Sequence, residues 1–140
     1  MITSPSSTTT TNIIITDRDL QRLLSLLDHT SSSATAESLD AELQRATVVP
    51  QQEVPADVVT MNSDLVYEDL RSGTRRTVRV VFPKDADASK GWVSVLAPIG
   101  SALLGLKVGQ EIEWKLPTGV RRVRVVEIRY QPEAAGDFDL

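Results

Sequence analysis

Few side chains in this sequence could carry out covalent or acid–base chemistry, and their spacing argues against it. Serines are plentiful, but the single histidine, His29, lies in the polar stretch His29–Ser33 with no nucleophile paired to it. At the end of a helix it would favour the helix dipole rather than serve as a base. The absence of cysteine excludes disulfides, thiolate nucleophiles and thiolate metal sites. A multi-histidine metal centre is excluded as well. Neither G-x-x-x-x-G-K-[ST] nor G-x-G-x-x-G occurs, so no phosphate-cradling loop is expected. Asp85 and Asp87 share a loop with Lys84 and Lys90 and read as a solvated turn. No catalytic residue, metal or cofactor is expected.

Two other groupings carry binding chemistry. Arg75, Arg76 and Arg79 fall on one expected strand, and Arg121, Arg122, Arg124 and Arg129 on another. Alternation puts several of them on an outer sheet face. That face would bind phosphate, or would be a charged solvent face that discourages edge pairing. Aromatic residues make up only 4% and the net charge is −4, which favours the solvent face. The charge is uneven: residues 54–130 carry +3 and the remainder −7. The second grouping is Ala97–Leu106, where Pro98, Ile99, Leu103, Leu104 and Leu106 are too many apolar residues for a short exposed loop. Some must be core. The pattern alone leaves open whether the others pack inward or form a rigid apolar knob for a protein partner.

The elements that would position these groups follow from local signals. Residues 1–11 are Ser/Thr-rich and read as a disordered leader. They lack the basic start and apolar centre of a signal peptide. No window approaches the roughly 20 apolar residues of a membrane span, which leaves a cytoplasmic protein as the expectation. Residues 12–49 predict a helical hairpin. After Ile13–Ile15, Thr16 and Asp19 form a capping box, with the Asp19 side chain reaching back. Leu20, Leu23, Leu24 and Leu27 form one apolar stripe, with Leu26 off its centre. The helix ends near Asp28, and a second begins near Ala34 with Leu39, Leu43 and Ala46 inward. Thr47–Val49 and Pro50 end it.

Residues 50–56 are a linker, residues 57–132 a strand-rich domain, and residues 133–140 an acidic tail. Extended structure restarts at Val58–Met61. Leu65–Leu70 and Thr77–Phe82 flank a turn containing Gly73. Trp92–Leu96 and Glu111–Leu116 follow, then a turn at Pro117–Gly119 and a long strand that ends at Tyr130. A short helical turn is expected at Ser101–Leu104. The apolar phase flips between Val125 and Val126, which a β-bulge or a switch of faces there would explain. The expected class is α+β, a short helical hairpin followed by a curved antiparallel sheet of about five strands.

The stretch VSVLAPIGSALLGLKVGQEIEWKLPTGV resembles the C-terminal domain of bacterial Gre transcript-cleavage factors. It is more similar still to the Rnk-type regulators of nucleoside diphosphate kinase. That likeness extends to IIITDRDLQRL, DVVTMNS, ALLGLKVG and YQPEAAGDFDL, and so covers about residues 12–140. The resemblance implies an FKBP-like C-terminal domain joined to a short antiparallel coiled coil. It also implies binding to RNA polymerase at the rim of the secondary channel, without sequence-specific contact with nucleic acid. Nothing in the sequence suggests an obligate dimer, and a monomer is expected. The docking residues the resemblance implies are Leu96, Ala97, Pro98, Ile99 and Gly100, with Pro98 and Ile99 exposed. Gre factors often carry a polar or acidic residue just before this turn, where this chain has Leu96. Their hairpin is also much longer, with carboxylates at its tip that help hold a catalytic magnesium. Here the tip residues are Asp28, His29, Ser32 and Glu37, and HTSSSAT itself holds no carboxylate. The implied activity is therefore regulation of transcription without transcript cleavage, in competition with Gre factors. Two rival readings remain: a prolyl isomerase of the FKBP-like type, and a phosphate- or nucleic-acid-binding module.

Overall fold

Local capping starts the fold. Thr16 sits in extended backbone at φ −75° and ψ 152°. Its hydroxyl accepts the Asp19 N–H at 3.0 Å, which opens helix α1, Asp17–Asp28. Ser33 does the same for Ala36 and opens α2, Ala34–Arg45. Each cap satisfies a helix-end donor that has no intrahelical acceptor. This computed structural model describes residues 13–30, 33–116 and 119–140. The expected leader, Ser32 and most of the Pro117–Gly119 turn lie outside the described residues.

The capping box is only half formed. The Asp19 side chain does not reach back to the cap. It is 1% exposed and accepts the Met61 N–H at 3.1 Å, across to the strand-rich domain, while pairing with Arg22 at 2.6 Å. The apolar stripe of α1 is also rotated from the expectation. Leu23 is fully buried, Leu20, Leu26 and Leu27 pack against the core, and Leu24 is exposed. Leu26 packs inward where α1 meets the rest of the fold, so a single heptad-like stripe does not describe it.

Thr47–Val49 does more than stop α2. It forms strand β2, paired in parallel with β1, Ile14–Thr16, so the hairpin returns to a two-stranded ribbon. β-branched residues suit that extended pairing. Ile13 is buried just before it, and the Ile14 N–H donates to the Gly105 carbonyl at 3.1 Å. Gly105 has φ +84°, and a Cβ there would stand 2.4 Å from the Ile13 Cβ. Glycine is therefore required where the hairpin meets the second domain.

Val58–Met61 is not a strand. Val58 makes one bridge to Lys107, and Val58, Val59 and Met61 are buried. The sheet is built from β3 (Asp64–Asp69), β4 (Arg75–Val81), β5 (Trp92–Ser94), β6 (Glu111–Leu116) and β7 (Gly119–Tyr130), in the order β5-β4-β3-β7-β6. It is mixed rather than wholly antiparallel, because β5 runs parallel to β4. Residues 82–91, with two 3₁₀ turns, carry the chain back instead of a tight hairpin. Of the two explanations for the phase flip, the bulge is present: Tyr67 pairs with Val125 and Val66 with Glu127, skipping Val126. A second shift skips Arg129.

Helix α3, Pro98–Leu103, begins three residues earlier than expected, with Pro98 at its first position. That position suits proline, whose missing N–H would have had no intrahelical acceptor. Leu103, Leu104 and Leu106 are buried against Leu65, Val78, Val80, Val123 and Val125 on the inner sheet face. Each such leucine contributes roughly 2 kcal/mol of burial.

The acidic tail is tied down. It forms α4, Pro132–Ala135, and then crosses the hairpin. Arg18 donates to the Asp139 carbonyl, Arg22 to that of Leu140, and Gln51 to that of Phe138. Glu133 accepts the Thr60 hydroxyl at 2.7 Å. Burial pushes the Glu133 carboxyl above its usual range, with Asp19 nearby adding to the shift. A carboxyl whose folded pKa is raised contributes stability at low pH that is lost as pH rises from its unfolded value through the folded one. Glu133→Gln should therefore raise the melting temperature at pH 7, with the gain disappearing at pH 4, as read by calorimetry at the two pH values.

Candidate functional site

The segment with the binding chemistry proposed from sequence is the entry to α3. Ser94 organises it. The Ser94 hydroxyl accepts the Leu96 N–H at 3.0 Å and its carbonyl accepts the Ala97 N–H at 2.9 Å. The Ala97 carbonyl then accepts the Ser101 N–H at 2.9 Å, the first bond of the helix. Gly100 is buried against Ser94, and a Cβ at Gly100 would lie 2.1 Å from the Ser94 carbonyl oxygen. The tight turn and the proline together hold the segment in one conformation.

The structure separates the five residues by exposure. Pro98 is exposed, Leu96, Ala97 and Ile99 are half-buried, and Gly100 is buried. Leu96 and Ile99 pack against the core. The alternatives left open by the pattern are thus divided along the segment: Leu103, Leu104 and Leu106 are core, and Pro98 stands at the surface. Pro98 and Ile99 border different clefts. Pro98 lines one with Ala34, Thr35 and Ser38 of α2, so the hairpin flanks the turn. Ile99 lines another, of about 500 Å³, with Tyr67, Val78 and Val93.

The tip residues are dispersed. Asp28 ends α1 and is exposed. His29 caps that helix, with Nδ1 2.9 Å from the Ser25 carbonyl oxygen. Glu37 is exposed in the first turn of α2. Among the described residues, no group of three or more His, Cys, Asp and Glu side chains is placed to hold a metal ion. No helix among them is long and apolar enough to cross a membrane.

The arginines divide between the two sheet faces. On the outer face Arg75 and Arg124 pair with Glu68, Arg122 pairs with Glu111 and Glu113, and Arg79 makes a two-pronged pair with Asp64 at 2.7 and 3.0 Å. Arg79 also stacks on Trp92, 4.9 Å from the ring centre. Carboxylates interleaved with cations neutralise most of this face, which weakens its case as a phosphate binder. Arg76 and Arg121 lie instead on the inner face, at the rim of the 500 Å³ cleft. Arg121 pairs with Asp69 and holds that carboxyl below its usual range. This cleft was not legible in sequence, although the period-two offset of Arg76 from Arg75 was its one available sign.

The described geometry accompanies clear similarities to known proteins. The family model for the C-terminal domain of the transcription elongation factors GreA/GreB matches residues 54–130, and the Rnk N-terminus model matches residues 11–49. The regulator of nucleoside diphosphate kinase from Escherichia coli (strain K12) is 45% identical over 129 residues, covering 90% of this chain and 95% of that protein. Transcription elongation factor GreA from Syntrophobacter fumaroxidans is 43% identical over 67 residues, which span 48% of this chain and 43% of that one. A solved prokaryotic transcription elongation factor GreA/GreB from Nitrosomonas europaea superposes with a TM-score of 0.71 at 48% identity, covering 85% of this chain and 98% of that one. A GreA/GreB-type sheet domain behind an Rnk-type helical hairpin places this chain in the GreA/GreB transcription elongation factor family, with an Rnk-type N-terminus.

Proposed function

We propose that this chain regulates transcription by binding RNA polymerase at the rim of the secondary channel through the turn Leu96–Gly100, without cleaving transcripts, and that it competes there with Gre factors. The observation that carries this reading is the turn itself: an exposed Pro98 on backbone locked by Ser94 and Gly100. A rigid apolar anchor loses little conformational entropy on docking. The shared C-terminal family model supports a docking surface in common with Gre factors, and hence competition. In this reading the sheet domain is FKBP-like and the hairpin is an antiparallel coiled coil. Helices of 12 residues span roughly 18 Å, too short to carry carboxylates deep into a channel. The chain would act by occupancy, as a cytoplasmic monomer.

The test uses purified core RNA polymerase and a stalled elongation complex, with a Gre factor as competitor. Binding without cleavage, together with suppression of Gre-stimulated cleavage, is the expected result. Cleavage by this chain alone would refute the proposal. The double variant Pro98→Ala/Ile99→Asp should bind at least about 30-fold more weakly, the loss typical of removing an anchor residue. Its far-ultraviolet circular dichroism and melting curve check that the fold survives.

A further inference from the structure

The 500 Å³ cleft beside the docking turn has the composition of a binding site rather than of a packing defect. Its floor is apolar: Val78 is 8% exposed, and Val93 and Ile99 are half-buried. Val78 and Val93 belong to the inner sheet face, and Ile99 comes from α3 itself. Beyond them the same face turns polar. Tyr67 and Arg76 are direct cross-strand partners, and Asp69 and Arg121 lie further out.

Three observations identify what would sit there. First, Tyr67 lines the cleft and is only 6% exposed, and its hydroxyl, which has no hydrogen-bond partner among the described residues, still reaches solvent. A phenol donor satisfied only by water is free to bond an acceptor that enters the cleft. Second, Arg76 is exposed at the cleft and makes no ion pair among the described residues. Every neighbouring arginine on the outer face has a carboxylate. Third, Asp69 is already occupied: it accepts the Arg71 and Ser72 N–H groups and pairs with Arg121. The local balance therefore leaves one uncompensated cation, Arg76, next to one unused hydroxyl donor, above an apolar floor. Tyr67 is held neutral by its burial, which raises its pKa, so it stays a donor across the physiological range.

From this we infer that the cleft receives a carboxylate side chain flanked by apolar residues, presented by the same protein that contacts the Pro98 turn. The carboxylate accepts from the Tyr67 hydroxyl and from the Arg76 guanidinium, and an apolar neighbour covers Val78, Val93 and Ile99. Both donors are charge-assisted by the ligand, which roughly doubles the strength of such bonds over neutral ones. Ile99 belongs at once to the cleft and to the docking turn, so one continuous surface serves both. The partner's identity rests on the proposed polymerase docking, whereas the chemistry of the cleft does not.

Two arms separate those statements. In the first, the full chain is titrated with the capped peptide acetyl-Leu-Glu-Leu-amide, its Gln counterpart and sodium acetate, while the Tyr67 ring and Arg76 Nε signals are followed by NMR. Saturable shifts with the Glu peptide, at least tenfold weaker with the Gln peptide and with acetate, are expected. Equal binding of the Glu and Gln peptides, binding by acetate as strong as by the Glu peptide, or no shift at millimolar peptide, would overturn the site. In the second arm, Tyr67→Phe and Arg76→Gln are compared with wild type for binding to core RNA polymerase. About a tenfold loss for each is expected, with a shallower salt dependence for Arg76→Gln. Peptide binding with unchanged polymerase binding in both variants would remove polymerase as the occupant and so overturn the partner assignment. Loss of polymerase binding by Pro98→Ala/Ile99→Asp alone would have the same meaning. Melting curves of the two cleft variants control for folding.

Discussion

Asp19→Ala is expected to lower the stability of this protein by about 3 kcal/mol, the combined result of orphaning a buried backbone donor and removing the counter-ion of a partly buried cation. The reason is the number of groups that converge on one carboxylate. Asp19 is 1% exposed, bonds Arg22 at 2.6 Å and accepts the Met61 N–H at 3.1 Å. Its removal orphans a backbone donor and leaves the Arg22 guanidinium over Phe82 without its counter-ion. For a chain of this size the loss corresponds to a fall in melting temperature of roughly 10 °C. Asp19→Asn keeps an acceptor for Met61 and should cost clearly less. Since Asp19 joins α1 to the turn before β3, faster hydrogen exchange at Met61 should accompany the Ala variant. A melting temperature within about 2 °C of wild type would show that this contact does not hold the hairpin to the sheet.

Gly100→Ala should be nearly as damaging although it adds a single methyl. The new Cβ would stand 2.1 Å from the Ser94 carbonyl oxygen and 2.9 Å from its carbon, so backbone must move rather than a side chain. Overpacking of this kind costs about 3 kcal/mol. Ser94 also accepts the Leu96 and Ala97 N–H groups, so the shift would pass directly into the turn that presents Pro98. The expected outcome is lower stability in urea unfolding together with weaker polymerase binding. Ser101→Ala, one residue along the same helix, is the control expected to change neither. If Gly100→Ala unfolded normally and bound normally, the rigidity assigned to this turn would be wrong.

What could be read from the sequence was whatever depends on neighbours a few residues apart. Thr16 announces the first helix start because a side-chain oxygen must meet an N–H three residues on. The phase flip at Val125–Val126 announces a bulge because side chains alternate with period two. The family likeness rests on local motifs of the same kind. The sequence alone therefore determined the α+β class and the order of most elements.

Only the tertiary structure decided the rest. The Thr47–Val49 run pairs with Ile14–Thr16, and β5 joins β4 in parallel. Backbone hydrogen bonds between distant segments leave no residue-type signature to mark them. Asp19 looked like a local cap partner, but burial against Met61 gave it a stronger use 42 residues away. Leu24 is exposed and Leu26 packs against the core, a choice set by where α1 meets the rest of the fold. Residues 133–140 read as a loose acidic tail, yet the arginines of α1 bind their backbone carbonyls, which have no sequence identity to recognise. The cleft followed the same logic. Tyr67, Arg76 and Arg121 come from three strands, and only the register of β3, β4 and β7 brings a donor, a cation and an apolar floor to one place.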